Sequence, residues 1–230
     1  DHPSQLGRYE LLARIARGGM AEVFVARMRG EGGFERLVAV KLMLPSFADD
    51  PRVVEMFLDE GRIAGHIESP NVVQVLDVGR APNGTLFIVM DLVRGVPLNR
   101  LIAVIGKGRK RLPVGIAGAI VAQAADGLAA AHEATTPLGE PLNVVHRDVS
   151  PQNVLVGADG RVRVVDFGIA RALHRRSTTS TGELKGKFGY FAPEQLIGKP
   201  ADARSDIFAL GVVAWESLMS KRLYAAENPM

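Results

Sequence analysis

The chain has 230 residues, 47% apolar and 23% charged, with 28 Lys and Arg against 25 Asp and Glu for a net charge of +3. This suits a globular protein with core enough for one medium domain or two packed lobes. There is no cysteine, which excludes disulfides, thiolate metal sites and cysteine nucleophiles and fits a reducing compartment.

The near-balanced charge gives no signature for nucleic acid or a membrane surface. The basic run Lys107, Arg109, Lys110 and Arg111 is short and glycine-interrupted, and reads as a solvated loop before it reads as a polyanion site. No apolar run approaches the roughly 18–20 residues of a membrane span, and no signal peptide is visible. The first residue is Asp1, which points to a start inside a longer gene product.

In chain order, residues 9–15, 21–27 and 37–42 read as strands, with β-branched or alternating apolar residues between glycine turns. Asp50-Pro51 then opens a helix, on which Val54, Phe57, Leu58, Gly61, Ile63 and Ala64 give an approximate apolar stripe. Two more strands, 72–78 and 86–90, are split by the turn Pro82-Asn83-Gly84. After Met90 the character changes to helix. Residues 114–133 are alanine-rich and apolar nearly all round, which predicts a helix buried on several sides. Short strands at 153–156 and 162–165 flank the turn Ala158-Asp159-Gly160, and 205–219 is a second strongly apolar helix. The prediction is a small β-rich lobe followed by a larger helical one.

Several short motifs carry chemistry. Ala16-Arg17-Gly18-Gly19-Met20-Ala21-Glu22-Val23 lies between two predicted strands, where small residues let backbone N–H groups approach phosphates. Alone it reads as a plain hairpin turn. It gains meaning from Val38-Ala39-Val40-Lys41 on the next strand, because Lys41 could reach nucleotide phosphates as a point charge. Glu60, on the following helix, could hold that lysine in an ion pair. The decisive stretch is His146-Arg147-Asp148-Val149-Ser150-Pro151-Gln152-Asn153. Its four fixed residues would arise by chance in roughly one chain of this length per thousand. Asp166-Phe167-Gly168 follows a predicted strand, and Ala192-Pro193-Glu194 closes the segment after it.

From Tyr9 onward the chain resembles the bacterial Hanks-type (eukaryotic-like) serine/threonine protein kinases. The resemblance implies an α+β bilobal fold, with an ATP-binding β-rich lobe at 9–91 and a mainly helical lobe at 92–230, and ATP with Mg²⁺ (or Mn²⁺) between them. Asp148 would accept or orient the substrate hydroxyl proton, while Asn153 and Asp166 would hold the metal. Met90 aligns with the gatekeeper and Asp91–Val93 with the adenine-contacting hinge. Val23, Ala39 and Leu155 would sandwich the base, and Ala64, Val75, His146 and Phe167 would stack as an apolar spine. Ala16, Gly18 and Gly19 belong to the phosphate loop. Asp206 would hold the catalytic loop's backbone. Arg147 would dock a phosphate on the loop containing Ser177, Thr178, Thr179, Ser180 and Thr181, with Thr179 and Thr181 the favoured autophosphorylation sites.

Three departures from the family pattern stand out. Its glycine motif reads Ala16-x-Gly18-x-x-Ala21, so a stiffer loop is expected. Its catalytic-loop lysine is Ser150, and the threonine of its Gly-Thr pair is Lys187, as if hydroxyl and ammonium had been exchanged beside Asp148. Relatives also continue for several helices beyond the one containing Trp215, so the helical lobe reads as C-terminally truncated.

The expected activity is transfer of the ATP γ-phosphoryl group to Ser or Thr hydroxyls of protein substrates, a second copy of the chain included. A pseudokinase or scaffold, suggested by Ser150 and the early end, and a small-molecule kinase are the competing readings. Arg147 and the 186–194 docking loop argue for protein substrates. The resemblance implies a cytoplasmic domain and leaves open a membrane anchor outside this segment.

Overall fold

The computed structural model describes residues 4–108, 110–167 and 188–224, and its architecture is α+β, as the sequence predicts. The chain divides into two compact units. One comprises the residues to His66 with Val73–Val93; the other comprises Ile67–Val72 with the residues from Arg94 onward.

In the first unit β1 (Gln5–Leu6), β2 (Tyr9–Arg17), β3 (Ala21–Arg29), β4 (Glu35–Met43), β5 (Val75–Arg80) and β6 (Leu86–Asp91) form one antiparallel sheet in the order β1-β2-β3-β4-β6-β5. Alternation along β3 and β4 sends Phe24, Ala26, Val38, Val40 and Leu42 into a core with Leu6, Tyr9, Phe87 and Val89. The sheet curls until β2 meets β5. The Tyr9 hydroxyl donates to Asp77 Oδ2 at 2.7 Å, and its ring meets Phe87 edge-on with centroids 5.9 Å apart.

Helix α1 (Pro51–Ala64) starts where expected, because the Asp50 side chain accepts from Arg52 N–H and Pro51 occupies the first turn. Its buried stripe is Val53, Met56, Phe57, Glu60, Gly61 and Ala64. That is phased about one residue away from the stripe read from sequence. Val54 and Leu58 instead line a surface groove with Val78. Gly61 sets how closely the helix approaches: a Cβ there would lie 2.7 Å from Val78 Cγ2 and 3.2 Å from Ile88 Cγ1.

The second unit holds β7 (Gly95–Pro97), α2 (Leu98–Lys107), α3 (Val114–His132), β8 (Val154–Gly157), β9 (Val162–Val164), the short α4 (Pro193–Leu196) and α5 (Ala203–Met219). Strands β7, β8 and β9 form a small antiparallel sheet in that order. Helix α3 buries one stripe, Ala117, Ile120, Ala124, Gly127, Leu128 and Ala131, against α5 and β9. The expected burial on several sides is not found: Val114 is 75% exposed and Ile116 51%. The exposed Ala119, Ala122 and Ala129 explain much of the misreading, since alanine looks apolar in sequence yet loses little when left in water. By length and composition α3 is also apolar enough to cross a membrane, contrary to the reading of the sequence. Its packed stripe and the hydrogen bonds of Gln123 make it the central helix of this unit.

The sequence boundary after Asp91 lies close to the division at Val93, but Ile67–Val72 leaves the first unit altogether. Asn71 is the reason. Its Nδ2 donates to Val162 O at 2.9 Å and Gln123 Oε1 at 3.2 Å, and its carbonyl accepts from Val164 N at 2.8 Å. Gly127 makes room for it, because a Cβ there would stand 2.5 Å from the Asn71 carbonyl oxygen.

Two glycines of α3 should therefore respond oppositely to alanine. Gly127→Ala overpacks against backbone and should cost about 1–3 kcal/mol. Gly118→Ala, with nothing within 4 Å of its Cβ, should gain up to about 1 kcal/mol of helix propensity. Denaturant melts of the two variants check the pair; equal shifts would refute the close-contact argument.

Candidate active site

In the first unit Lys41 comes from β4, opposite Val23 of β3 and Ile88 of β6. Its Nζ forms a buried ion pair with Glu60 Oε1 of α1. Both charges are largely out of water, and the pairing offsets part of their desolvation. Ala39 is buried opposite Met90, and Asp91 pairs with Val38. The Asp91 N–H donates to Gln74 O at 3.0 Å, while its carboxylate receives Arg36 Nη2 at 2.6 Å. Val93 is half-buried at the end of this unit.

The hairpin between β2 and β3 closes with Ala16 opposite Val23 and Arg17 opposite Glu22, and Gly18 N–H donates to Ala21 O at 2.8 Å across Gly18-Gly19-Met20. Glu22, which the sequence reading passed over, is buried beneath it. Its Oε1 receives Arg14 Nη1 at 2.7 Å and Arg17 Nε at 3.5 Å. Nothing in the local pattern marks this carboxylate, because one partner lies eight residues back across a bulged strand pair.

In the second unit the stretch that starts at His146 is pinned by Asp206, 1% exposed near the start of α5. Its Oδ2 accepts from His146 N–H and its Oδ1 from Arg147 N–H, each at 2.8 Å, and His132 Nε2 adds a third bond at 2.8 Å. Sequence reasoning anticipated the backbone bonds and missed His132. His146 is fully buried; Nε2–H donates to Val165 O at 3.0 Å, and Nδ1 accepts from Asp148 N–H at 3.2 Å. Its ring lies 4.8 Å from that of Phe167.

Asp148 is oriented by Asn153, whose Nδ2 donates to the Asp148 carbonyl at 2.8 Å and to Oδ2 at 2.9 Å. The Asn153 carbonyl accepts the N–H of Val165, the residue before the exposed Asp166, at 3.0 Å. Leu155 follows on β8, half-buried. Arg147 (φ 64°) and Asp166 (φ 56°) both adopt the left-handed region, unusual for residues with a Cβ. Ser150 is 2% exposed, and among the described residues neither its Oγ nor Arg147 Nε has a hydrogen-bond partner.

Among the described residues no three His, Asp or Glu side chains form a metal-binding group. A carboxylate and an amide, Asp166 and Asn153, nonetheless suit a hard cation that keeps waters and takes its remaining ligands from phosphate. Gly168, Thr179, Thr181 and Lys187 lie outside the described residues, as do Ser177, Thr178 and Ser180. Beyond them, Tyr190 OH donates to Glu216 Oε2 at 2.8 Å, and burial followed by that carboxylate pushes the phenol's pKa well up. Glu194 accepts from Ser205 Oγ at 2.5 Å.

Residues 9–230 match the protein kinase domain family. The tyrosine-protein kinase MasK of Myxococcus xanthus is 45% identical over 224 residues, covering 97% of this chain and 34% of that protein. The serine/threonine-protein kinase PknA of Mycobacterium tuberculosis is 37% identical over 228 residues, covering 97% of this chain and 49% of that one. The chain thus spans a third to a half of the length of these curated relatives. Among solved structures, the kinase domain of M. tuberculosis PknI superposes with a TM-score of 0.71 at 27% identity, over 98% of this chain and 78% of that one.

Asp206 receives three hydrogen bonds from two separate segments of the second unit. Asp206→Asn turns an acceptor into a donor facing buried N–H groups, and should lower stability by about 2–4 kcal/mol. Equilibrium denaturation checks this; a loss below about 0.5 kcal/mol would show that the loop stands without it.

Proposed function

The chain belongs to the protein kinase domain family, and we propose that it transfers the γ-phosphoryl group of ATP to Ser and Thr hydroxyls of protein substrates. The observation that carries this reading is the Asp148 carboxylate, oriented by Asn153 on a backbone that Asp206 holds. The buried Lys41–Glu60 pair supports it from the other unit.

In the proposed reaction the acceptor oxygen bonds to the γ-phosphorus, the bond to the β–γ bridging oxygen breaks, and ADP leaves. Asp148 takes the proton released by the acceptor hydroxyl. Lys41, kept charged by Glu60, neutralises the α- and β-phosphates. Ala16, Gly18 and Gly19 offer backbone N–H groups to the phosphates. Val23, Ala39 and Leu155 face the adenine, whose edge meets the backbone of Asp91 and Val93 beside Met90. Asn153 and Asp166 would hold a divalent ion, Mg²⁺ or Mn²⁺, whose charge would neutralise the phosphates. Arg147 docks a phosphate added to Thr179 or Thr181, and a second copy of the chain is one source of it. The domain then works in the cytoplasm, where ATP is.

A second reading has one specific support. The 45% identical relative is named a tyrosine kinase, so tyrosine is the competing acceptor. The full-length protein is incubated with radiolabelled ATP beside an Asp148→Asn control, and the labelled amino acid is identified after hydrolysis. Phosphotyrosine alone would overturn the Ser/Thr assignment. Label equal in both proteins would leave a pseudokinase.

Lys41→Met should abolish turnover while the fold is kept; retention of more than about a tenth of wild-type activity would remove Lys41 from its role.

Ser150 and Lys187 give a sharper expectation. The buried Ser150 hydroxyl is a suitable acceptor for the Lys187 ammonium, which would restore a cation beside the migrating phosphoryl group. Lys187→Thr should lower kcat by about 10²-fold or more, and adding Ser150→Lys should recover much of it. A double variant no faster than the single one would make the exchange coincidental.

A further inference from the structure

Between Asp91 and Asp126 the sequence contains no Asp or Glu but six cations, Arg94, Arg100, Lys107, Arg109, Lys110 and Arg111, in a chain whose acids and bases otherwise nearly balance. Helix α2 carries part of this band away from the catalytic loop. Its second residue, Asn99, donates its N–H to Pro151 O at 3.0 Å, next to Ser150. Ten residues of helix then span about 15 Å to the exposed Lys107, Lys110 and Arg111; Arg109 lies outside the described residues.

The structure adds cations that the sequence keeps more than a hundred residues away. Ser220 caps α5 in the left-handed conformation (φ 51°) and sits against the end of α2. Its Oγ accepts Leu112 N–H at 3.4 Å, and a Cβ on Gly106 would stand 2.7 Å from its carbonyl oxygen. The exposed Lys221 and Arg222 follow directly, so they join the α2 cations. The strand of chain continues to Leu223, whose N–H meets Glu216 Oε1 at 3.1 Å, and to Tyr224, whose Cβ would lie 3.3 Å from a Cβ on Gly189. This strap therefore runs from the end of α2 to the turn before Ala192-Pro193-Glu194.

No described residue neutralises the band. Arg100, Lys107, Lys110, Arg111, Lys221 and Arg222 form no ion pair with any described residue, and Lys221 stands 5.6 Å from the Trp215 ring centroid. The nearby carboxylate of Glu216 is buried, and its two oxygens face Tyr190 and Leu223. The exposed cations thus start beside the bond from Asn99 to Pro151 and end on the strap that meets Gly189, so a segment presented to Asp148 and extending along α2 would meet one sign of charge. We propose that this cationic band selects anionic acceptor segments, in which acidic or phosphorylated residues flank the residue to be modified. The inference rests on the protein-kinase reading and names the substrate class for it. The band is far from the reacting atoms, so it acts on encounter and binding and leaves the chemical step alone.

The test uses the full-length protein and its Lys107→Gln/Lys110→Gln/Arg111→Gln/Arg222→Gln variant, with unchanged thermal melting and ATP affinity as the fold control. Fluorescent peptides identical except for Glu, phosphoserine or Gln at four positions are titrated by anisotropy at about 50 and 200 mM salt. Binding of the Glu or phosphoserine peptide should exceed that of the Gln peptide roughly tenfold, weaken with salt, and fall roughly tenfold in the variant. The ratio between the two anionic peptides tells carboxylate from phosphate selection. With a degenerate acceptor-peptide library, the variant should lose the enrichment of Asp and Glu at unchanged kcat. Equal binding of Glu and Gln peptides, or a variant that binds like wild type, overturns the proposal. So does tighter binding of phosphatidylserine vesicles or duplex DNA than of either anionic peptide. Charge-selective peptide binding without any phosphoryl transfer would support the band while overturning the kinase reading.

Discussion

Two backbone N–H groups in the loop that carries Asp148, those of His146 and Arg147, belong to no strand or helix, and the buried carboxylate of Asp206 accepts both. Much of the second unit's chemistry hangs from those bonds. They hold Arg147 in a left-handed conformation that would otherwise cost about 1–2 kcal/mol, and they set His146 where its ring meets Phe167 and its Nδ1 takes the Asp148 N–H. Asn153 then ties Asp148 from the far side. The Asp148 carboxylate is thus oriented by groups whose own partners are buried, which keeps solvent from reorganising around it.

The first unit solves a different problem, how to keep an ammonium charged while burying it. Lys41 emerges from a strand covered on both faces, and Glu60 reaches it only because α1 lies close to the sheet at Gly61. The Tyr9–Asp77 bond closes the curl of the same sheet from the other end. Glu22 repeats the theme beneath the hairpin, holding two arginines of β2 with one buried oxygen. A hairpin lacking two of the family's glycines thus gains a polar cross-brace where backbone freedom was given up.

How far the sequence reveals this depends on whether a residue's partner is nearby or distant. The strand carrying Val38-Ala39-Val40-Lys41 and the loop carrying Asp148 and Asn153 were legible because their residue types and spacing are local and restrictive. Helix α2 was not singled out: it is short, starts at Pro97 without a side-chain cap, and contains Gly106. The stripe of α1 was misphased because Val54 and Leu58 are as apolar as Val53 and Met56 yet face a surface groove. Alanine misled the reading of α3 for the opposite reason, looking buried where it is merely tolerated. Glu22, His132 and Asn71 owe their importance to partners 8, 74 and 91 residues away, and no periodicity records such distances.

The excursion of Ile67–Val72 has a consequence for how this chain can be divided. The backbone crosses between the units three times, near residues 66, 72 and 93, so neither unit is one uninterrupted stretch of polypeptide. A cut after Val93 would leave the first fragment carrying Ile67, Asn71 and Val72 with no surface to cover them. The second fragment would have an empty notch at Gly127, and the Val162 carbonyl and Val164 N–H would lose their Asn71 partners. Severed halves would therefore be sticky and mutually dependent, and would reassemble by threading six residues back into place. Exchange of whole lobes between relatives meets the same obstacle, because a graft ending at residue 93 carries with it a foreign six-residue plug that must fit its new socket.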